Sequence, residues 1–275
     1  MAEFVKHTNR EFLYEARHLT RESPMPSRNK DIVSELSEKN EIILGGTAAE
    51  MHAHYKERLN EVYHHNRNDL VTTMHWAVGF PSDLRPEQES EFVTAVCDFM
   101  VDFFGKGDPT WERNVIAVAV HRDEGVRLNG ELIAGRPHIH WMAIPVVENP
   151  RYHSLTPSGR KPSSYDYEEK VCINDLIKHK DLLEFHPRMQ KYLDDRGIQA
   201  TVYRGGAAGE RNLTIRELKE ITRATGLTIE QLEETVRENE RLRERINEIT
   251  KSQETAYSWG TGKSWEESHT WDIDL

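Results

Sequence analysis

The chain has 275 residues, 37% of them hydrophobic and 30% charged, with a formal net charge of −11. That is enough for a buried core plus an appended segment, and no stretch approaches the roughly 20 apolar residues of a membrane-spanning helix. The acidity counts against a phosphate-rich partner less than it first suggests. Residues 220–275 carry 13 acidic and 7 basic side chains, −6 of the −11, which leaves the body closer to neutral.

Met1 to Arg10 has no apolar signal core, so a cytoplasmic protein is expected. Residues 1–40 are polar and broken by Pro24 and Pro26, with a helix around Arg10–Arg17. Ala48–Tyr63 is helical in composition, and the alternation and β-branched content of Leu70–Phe80 predict a strand. Past Pro81 and Pro86, the three- and four-residue spacing of Phe92, Val96, Phe99 and Phe103 predicts a helix over Glu87–Phe104. Val115–Val120 is an apolar run of strand length. Turn signals at Asn129-Gly130 and Gly135 then precede a strand over His138–Val146. This strand–helix–strand–strand order with antiparallel connections predicts an α+β fold.

A Pro/Ser-rich loop over 150–165 leads to predicted helices over Asn174–Leu183 and Pro187–Arg196. Gly197 stops the second, and a short strand is predicted over Ile198–Tyr203. The glycine-rich Arg204–Asn212 lacks the GK[ST] ending of a nucleotide loop; it reads as a turn, or as a DNA contact through Arg204 and Arg211. Helices are predicted from Thr214 and Thr228. The resulting organisation is a main domain over 1–212, a helical extension over 213–250 and an acidic tail over 251–275. The tail bears Trp259, Trp265 and Trp271; it is expected to lack structure of its own and to recruit a partner protein.

The strongest chemical signal is His138-Ile139-His140. Residues i and i+2 of a strand share a face, so both imidazoles project together. His121 ends the preceding apolar run and Glu124 follows it. If the two strands are neighbours, three histidines and a carboxylate converge on one site for a divalent metal. His52, His54, His64 and His65 lie in a charged helical segment where i and i+2 diverge, so they read as solvent-facing. Cys97 and Cys172 have no partner at metal spacing and read as buried free thiols.

The stretch VIAVAVHRDEG…RPHIHWMAIPV, Val115 to Val146, resembles the metal motif of the Mob/Pre family of plasmid mobilisation relaxases, which belongs to the HUH class of nucleases. His7-Thr8-Asn9-Arg10-Glu11 resembles that family's N-terminal H-N-x-R-E motif, and Glu169–Gly197 its downstream helical region. The 13 residues between Glu124 and His138 are more than the family's tighter spacing, and only six residues precede His7, where relatives carry an additional strand.

The resemblance implies an HUH-type relaxase domain: a central antiparallel sheet flanked by helices, with C-terminal helices beyond it. It implies Mn²⁺ or Mg²⁺ at His121, Glu124, His138 and His140, and nicking and rejoining of plasmid DNA, single-stranded or supercoiled, at an origin of transfer through a 5′-phosphoryl-enzyme link. His7 takes the place of the attacking histidine, with Tyr14 as the alternative nucleophile and Arg10 to hold a phosphate or orient the nucleophile. An imidazole with an ordinary pKa of about 6.5 is largely neutral at physiological pH, whereas a phenol near 10 must first lose a proton. The alternatives are a rolling-circle replication initiator with the same chemistry and a non-catalytic DNA-binding relative.

Overall fold

The computed structural model describes residues 2–22, 32–128, 131–152 and 164–203, with isolated helical positions between 224 and 245. In chain order the elements are β1 (Ala2–Thr8), α1 (Phe12–Thr20), β2 (Glu41–Leu44), α2 (Ala48–Glu61), β3 (Val71–Gly79), α3 (Glu89–Gly105) and β4 (Val115–His121). The hairpin β5 (Gly125–Leu128) and β6 (Glu131–Ala134) follows, then β7 (His138–Ala143), β8 (Val146–Glu148), β9 (Glu169–Val171), α4 (Ile173–Leu176) and α5 (His179–Asp194). The chain divides into two units, Met1–Glu217 and Leu218–Leu275. Ala224, Gln231, Glu234 and Leu242 of the second unit are helical.

One antiparallel sheet of five strands, in the order β1-β3-β7-β4-β2, organises the first unit. Every residue of β4 is buried, because helices cover both faces of the sheet; a strand so placed reads as continuous apolar sequence rather than as alternation. On one face Trp76, Trp141, Val118 and Val120 pack with Phe99, Phe103 and Phe104 of α3 and with Phe185 and Met189 of α5. On the other, Ile116, Ala119 and Met142 pack with Phe12, Ala16 and Leu19 of α1 and with Met51, Tyr55 and Leu59 of α2. Burying each of the larger apolar side chains contributes roughly 1.5–3 kcal/mol. The Thr47–Glu50 capping box fixes the start of α2.

The strand expected over Leu70–Phe80 and the helix over Glu87–Phe104 are present as β3 and α3. Other expectations are corrected. The helix near Arg10–Arg17 starts and ends later, and a strand that was not anticipated precedes it and contains His7. The strand expected over His138–Val146 stops at Ala143 and resumes at Val146, past Pro145. The two helices expected over 174–196 become a four-residue turn of helix and one continuous helix through Pro187. The proline leaves the carbonyl four residues back without its usual donor, and that residue, Leu183, is 66% exposed, so water can serve instead.

The strand expected over Ile198–Tyr203 does not form. Ile198, Ala200 and Val202 are buried alternately, as the pattern requires, but the backbone pairs with side chains. Gln199 N–H donates to Gln88, Thr201 N–H to Asp83, and Val202 N–H to Gln190. Cys97 and Cys172 are free, as read, but half-buried rather than buried. Arg204, Arg211, the tail tryptophans and most of the predicted C-terminal helices lie outside the described residues. No helix among the described residues is long and apolar enough to cross a membrane.

Candidate metal centre and the histidine row

Strand pairing brings the predicted ligands together. β4 and β7 are antiparallel neighbours, with His121 opposite His138 and Ala119 opposite His140. Apolar Ile139 and Trp141 point to the α3 face, so His138 and His140 point to the α1 face. The same alternation in β3 turns Met74 and Trp76 one way and Thr73 and His75 the other, and His7 of β1 pairs with Thr73. Five histidines drawn from four strands therefore share one face beneath α1. All five are buried.

His121, Glu124 and His138 each offer a ligand atom, all within 4.8 Å of one another. His18, His121 and His140 do the same, as do His7, Glu15 and His75. The four residues predicted as ligands thus meet around His121, with Glu124 and His140 in different groups of three. The ring centroids of His121 and His140 lie 4.4 Å apart, and those of His138 and His140 4.7 Å.

α1 adds further groups beside the predicted ligands. Phe12, Ala16 and Leu19 anchor its buried stripe, and Glu15 and His18 extend from the helix toward the histidine row. The His18 ring lies 5.5 Å from both His121 and His140. Arg21 closes the helix with φ 56°, in the left-handed region. Its guanidinium forks onto Asp123, Nε to Oδ2 at 2.9 Å and an Nη to Oδ1 at 2.7 Å, and also donates to the His18 carbonyl at 2.8 Å. Asp123 is fully buried and accepts from Ser37 as well. Burial works against its charge, but the hydrogen bonds from Arg21 and Ser37 outweigh it and hold the carboxyl well below the usual range.

Burial, reinforced by the Arg21 charge, lowers His18 to about 4 and His121 to about 3. Burial also takes His75 and His140 well below their ordinary value. These rings are uncharged at neutral pH, and each keeps a lone pair. The donor set suits a divalent cation on two further counts. His140 Nε2 is buried with no hydrogen-bond partner among the described residues. A cationic group already stands among the donors, the Arg21 guanidinium lying 3.0 Å from His121 Nδ1 and 3.6 Å from Glu124. Imidazole nitrogens are general ligands for first-row divalent ions, and the carboxylate is the donor type that suits Mn²⁺.

The remaining predicted residues lie elsewhere. His7 sits on β1 beside His75, at a ring distance of 5.6 Å, and belongs to neither group around His121. Arg10 is exposed on the turn after β1, and Tyr14 is 60% exposed. None of His52, His54, His64 and His65 belongs to a metal-capable group among the described residues. His18, Arg21 and His75 are the contributors that the motif reading missed; Asp123 belongs to its H-x-D-E segment but was given no role there. A signal for two of them exists: His18-Leu19-Thr20-Arg21-Glu22 repeats the H-x-x-R-E spacing of His7-Thr8-Asn9-Arg10-Glu11, eleven residues later. The first copy builds a turn, with Glu11 accepting from the Thr8 N–H and hydroxyl. The second copy lies beside the predicted ligands His121 and His140.

A family model described as plasmid recombination enzyme matches residues 1–220. Among solved structures, the Mn-bound MobM relaxase domain (MOBV; Mob_Pre) in complex with 22 nucleotides of plasmid pMV158 oriT DNA carrying a 3′-thiophosphate, at pH 6.8, is 19% identical. It matches with a TM-score of 0.56 over 80% of this chain and 97% of its own. A second Mn-bound crystal structure of that domain with oriT DNA, at pH 4.6, matches at 19% identity and a TM-score of 0.55, over 80% and 98%. At this identity the likeness is one of fold. No curated protein sequence matches.

Proposed function

Because the chain belongs to the plasmid recombination enzyme family, we propose that it is a metal-dependent relaxase that nicks and rejoins one strand of plasmid DNA at an origin of transfer. The observation that carries this reading is the meeting of the His18–Arg21 turn with the histidine row of β4 and β7. His121, Glu124, His138 and His140 would hold the ion, Mn²⁺ as in the MobM structures. When bound, a divalent ion supplies a Lewis acid at the scissile phosphate and offsets its developing charge.

His18, in place of His7, is the nucleophile of this reading. Its ring is uncharged and needs no separate base to expose a lone pair. A ring nitrogen attacks phosphorus and an N–P bond forms. The bond from phosphorus to the 3′ oxygen breaks, and that oxygen leaves with the electron pair and takes a proton from solvent. The 5′-phosphoryl end stays on His18, so attack by a 3′-hydroxyl reverses the step and reseals the strand. Arg21, its fork fixed by Asp123, keeps a positive charge beside the reacting ring.

A second reading makes His18 a metal ligand, because it groups with His121 and His140. One experiment separates the two and tests the function. The full chain is incubated with Mn²⁺ and oligonucleotides tiling the DNA upstream of its gene, and the covalent adduct is split between acid and neutral buffer. The expected result is an acid-labile adduct lost in His18→Ala and kept in His7→Ala, with Mn²⁺ affinity retained in both. An affinity that collapses in His18→Ala supports the ligand reading. An acid-stable adduct lost in Tyr14→Phe refutes a histidine nucleophile, and the absence of cleavage at any DNA refutes the enzyme.

A further inference from the structure

The histidines around the proposed ion each engage their second ring nitrogen. His121 Nε2 lies 2.9 Å from the Leu19 carbonyl, and His138 Nδ1 lies 3.2 Å from the Arg136 carbonyl. A carbonyl only accepts, so those two nitrogens carry the protons. The bare nitrogens are therefore His121 Nδ1, which accepts from the Arg21 guanidinium, and His138 Nε2. His140 differs. Its Nδ1 lies 2.7 Å from Nε2 of His75, and either ring can donate. Beyond it, His75 Nδ1 faces a Glu15 carboxylate oxygen at 3.8 Å.

We propose that His75 and Glu15 are positioning residues for the metal centre: His75 Nε2 accepts the Nδ1 proton of His140, and His75 presents its own Nδ1–H to Glu15. The inference rests on the metal reading above. A single proton lies between the two rings. If His75 donated it, His140 would carry its proton on Nε2, and that nitrogen would have no lone pair for an ion. With His140 as donor, the buried and unpartnered Nε2 becomes the ligand atom. The relay thus does for His140 what backbone carbonyls do for His121 and His138. It fixes the tautomer and the ring plane, the usual task of groups behind a ligating histidine.

The same proton inventory decides the fate of the neighbouring group of His7, Glu15 and His75, whose ligand atoms also lie within 4.8 Å. An ion on His75 Nδ1 would push that ring's proton to Nε2, and so force His140 into the wrong tautomer. With neutral rings, one ion excludes the other. His75 is therefore assigned as an acceptor and not as a ligand of a second metal.

The test is Mn²⁺ titration of the metal-stripped full chain, with free Mn²⁺ read by electron paramagnetic resonance. The wild-type chain should bind one ion. His75→Leu should lose affinity by about 10–100-fold, whereas His75→Gln, whose side-chain oxygen can accept from His140, should stay within a few-fold of the parent. In parallel, ¹⁵N-histidine NMR of the Zn²⁺-loaded wild-type chain should show His75 protonated on Nδ1 and bare on Nε2; this arm needs no variant to fold. A His75→Leu chain that binds Mn²⁺ as the parent does, or a proton on His75 Nε2, overturns the inference while leaving the metal centre standing. So do two ions per wild-type chain with one lost in His7→Ala. A wild-type chain that binds no Mn²⁺ overturns the metal centre, and this inference with it.

Discussion

Replacing Asp123 by Asn tests whether the Arg21 turn is held by charge. Asp123 is fully buried and the Arg21 side chain is 13% exposed, so the substitution strands a guanidinium that water hardly reaches. Glu124 at 3.6 Å is the next carboxylate, and turning toward it would draw Arg21 onto a proposed metal ligand. Removing one partner of a buried ion pair costs about 3–5 kcal/mol. Asn keeps an acceptor for Ser37, which puts the expectation near the lower figure, about 3 kcal/mol and on the order of 10 °C in Tm. Urea unfolding in EDTA measures this without a contribution from bound ion. The double variant Asp123→Asn with Arg21→Met removes both charges and should cost clearly less than the sum of the two single changes. Mn²⁺-dependent nicking should fall at least tenfold in Asp123→Asn, because His18 lies on the same turn. Single costs that add within about 0.5 kcal/mol would refute the coupling and the role assigned to the pair.

Two further predictions concern other parts of the molecule. His186 Nε2 accepts from the Ala2 N–H, and burial lowers its pKa to about 4. The unfolded chain takes that proton near 6.5, so this contribution to stability is complete above 6.5 and is lost as pH falls toward 4. At 1.36 kcal/mol per unit the loss reaches up to about 3 kcal/mol. His186→Gln should therefore flatten the fall in urea stability between pH 7 and pH 5, and an unchanged slope would count against it. Burial, with a smaller contribution from Asp98, pushes the Cys97 thiol up to about 12. At pH 8 roughly one molecule in 10⁴ carries the thiolate, so iodoacetamide should leave Cys97 unmodified, by mass spectrometry, for far longer than an exposed cysteine peptide.

Much of the site was legible because strand geometry is local. The period of two placed His138 and His140 on one face, and the apolar run ending at His121 named the neighbouring strand. What could not be read was anything that depends on register between distant strands. His75 stands in VTTMHWAVG with nothing beside it to mark it, and it matters because pairing sets Ala77 against His140 and brings the two imidazoles into contact. Ile198–Val202 shows the converse: burial alternates as in a strand, yet Gln88, Asp83 and Gln190 take the backbone hydrogen bonds. Periodicity reports which side chains are buried. It does not report what satisfies the main chain.

The choice between His7 and His18 shows why a matching motif is weaker than its setting. Both copies have histidine, arginine and glutamate at the same spacing, so composition cannot rank them. Their environments can. At His7 the motif spans the end of a strand and a turn, which leaves Arg10 exposed with its charge spent on solvent. At His18 it spans the last turn of a helix, and two residues apart in role are brought to one place: the left-handed Arg21 folds back to the His18 carbonyl while its fork holds Asp123 of the H-x-D-E segment. That ion pair ties the end of α1 to the loop after β4, so the same contact that fixes the helix also sets the distance between His18 and the proposed ligands. That tie is what favours His18 over His7 as the proposed nucleophile.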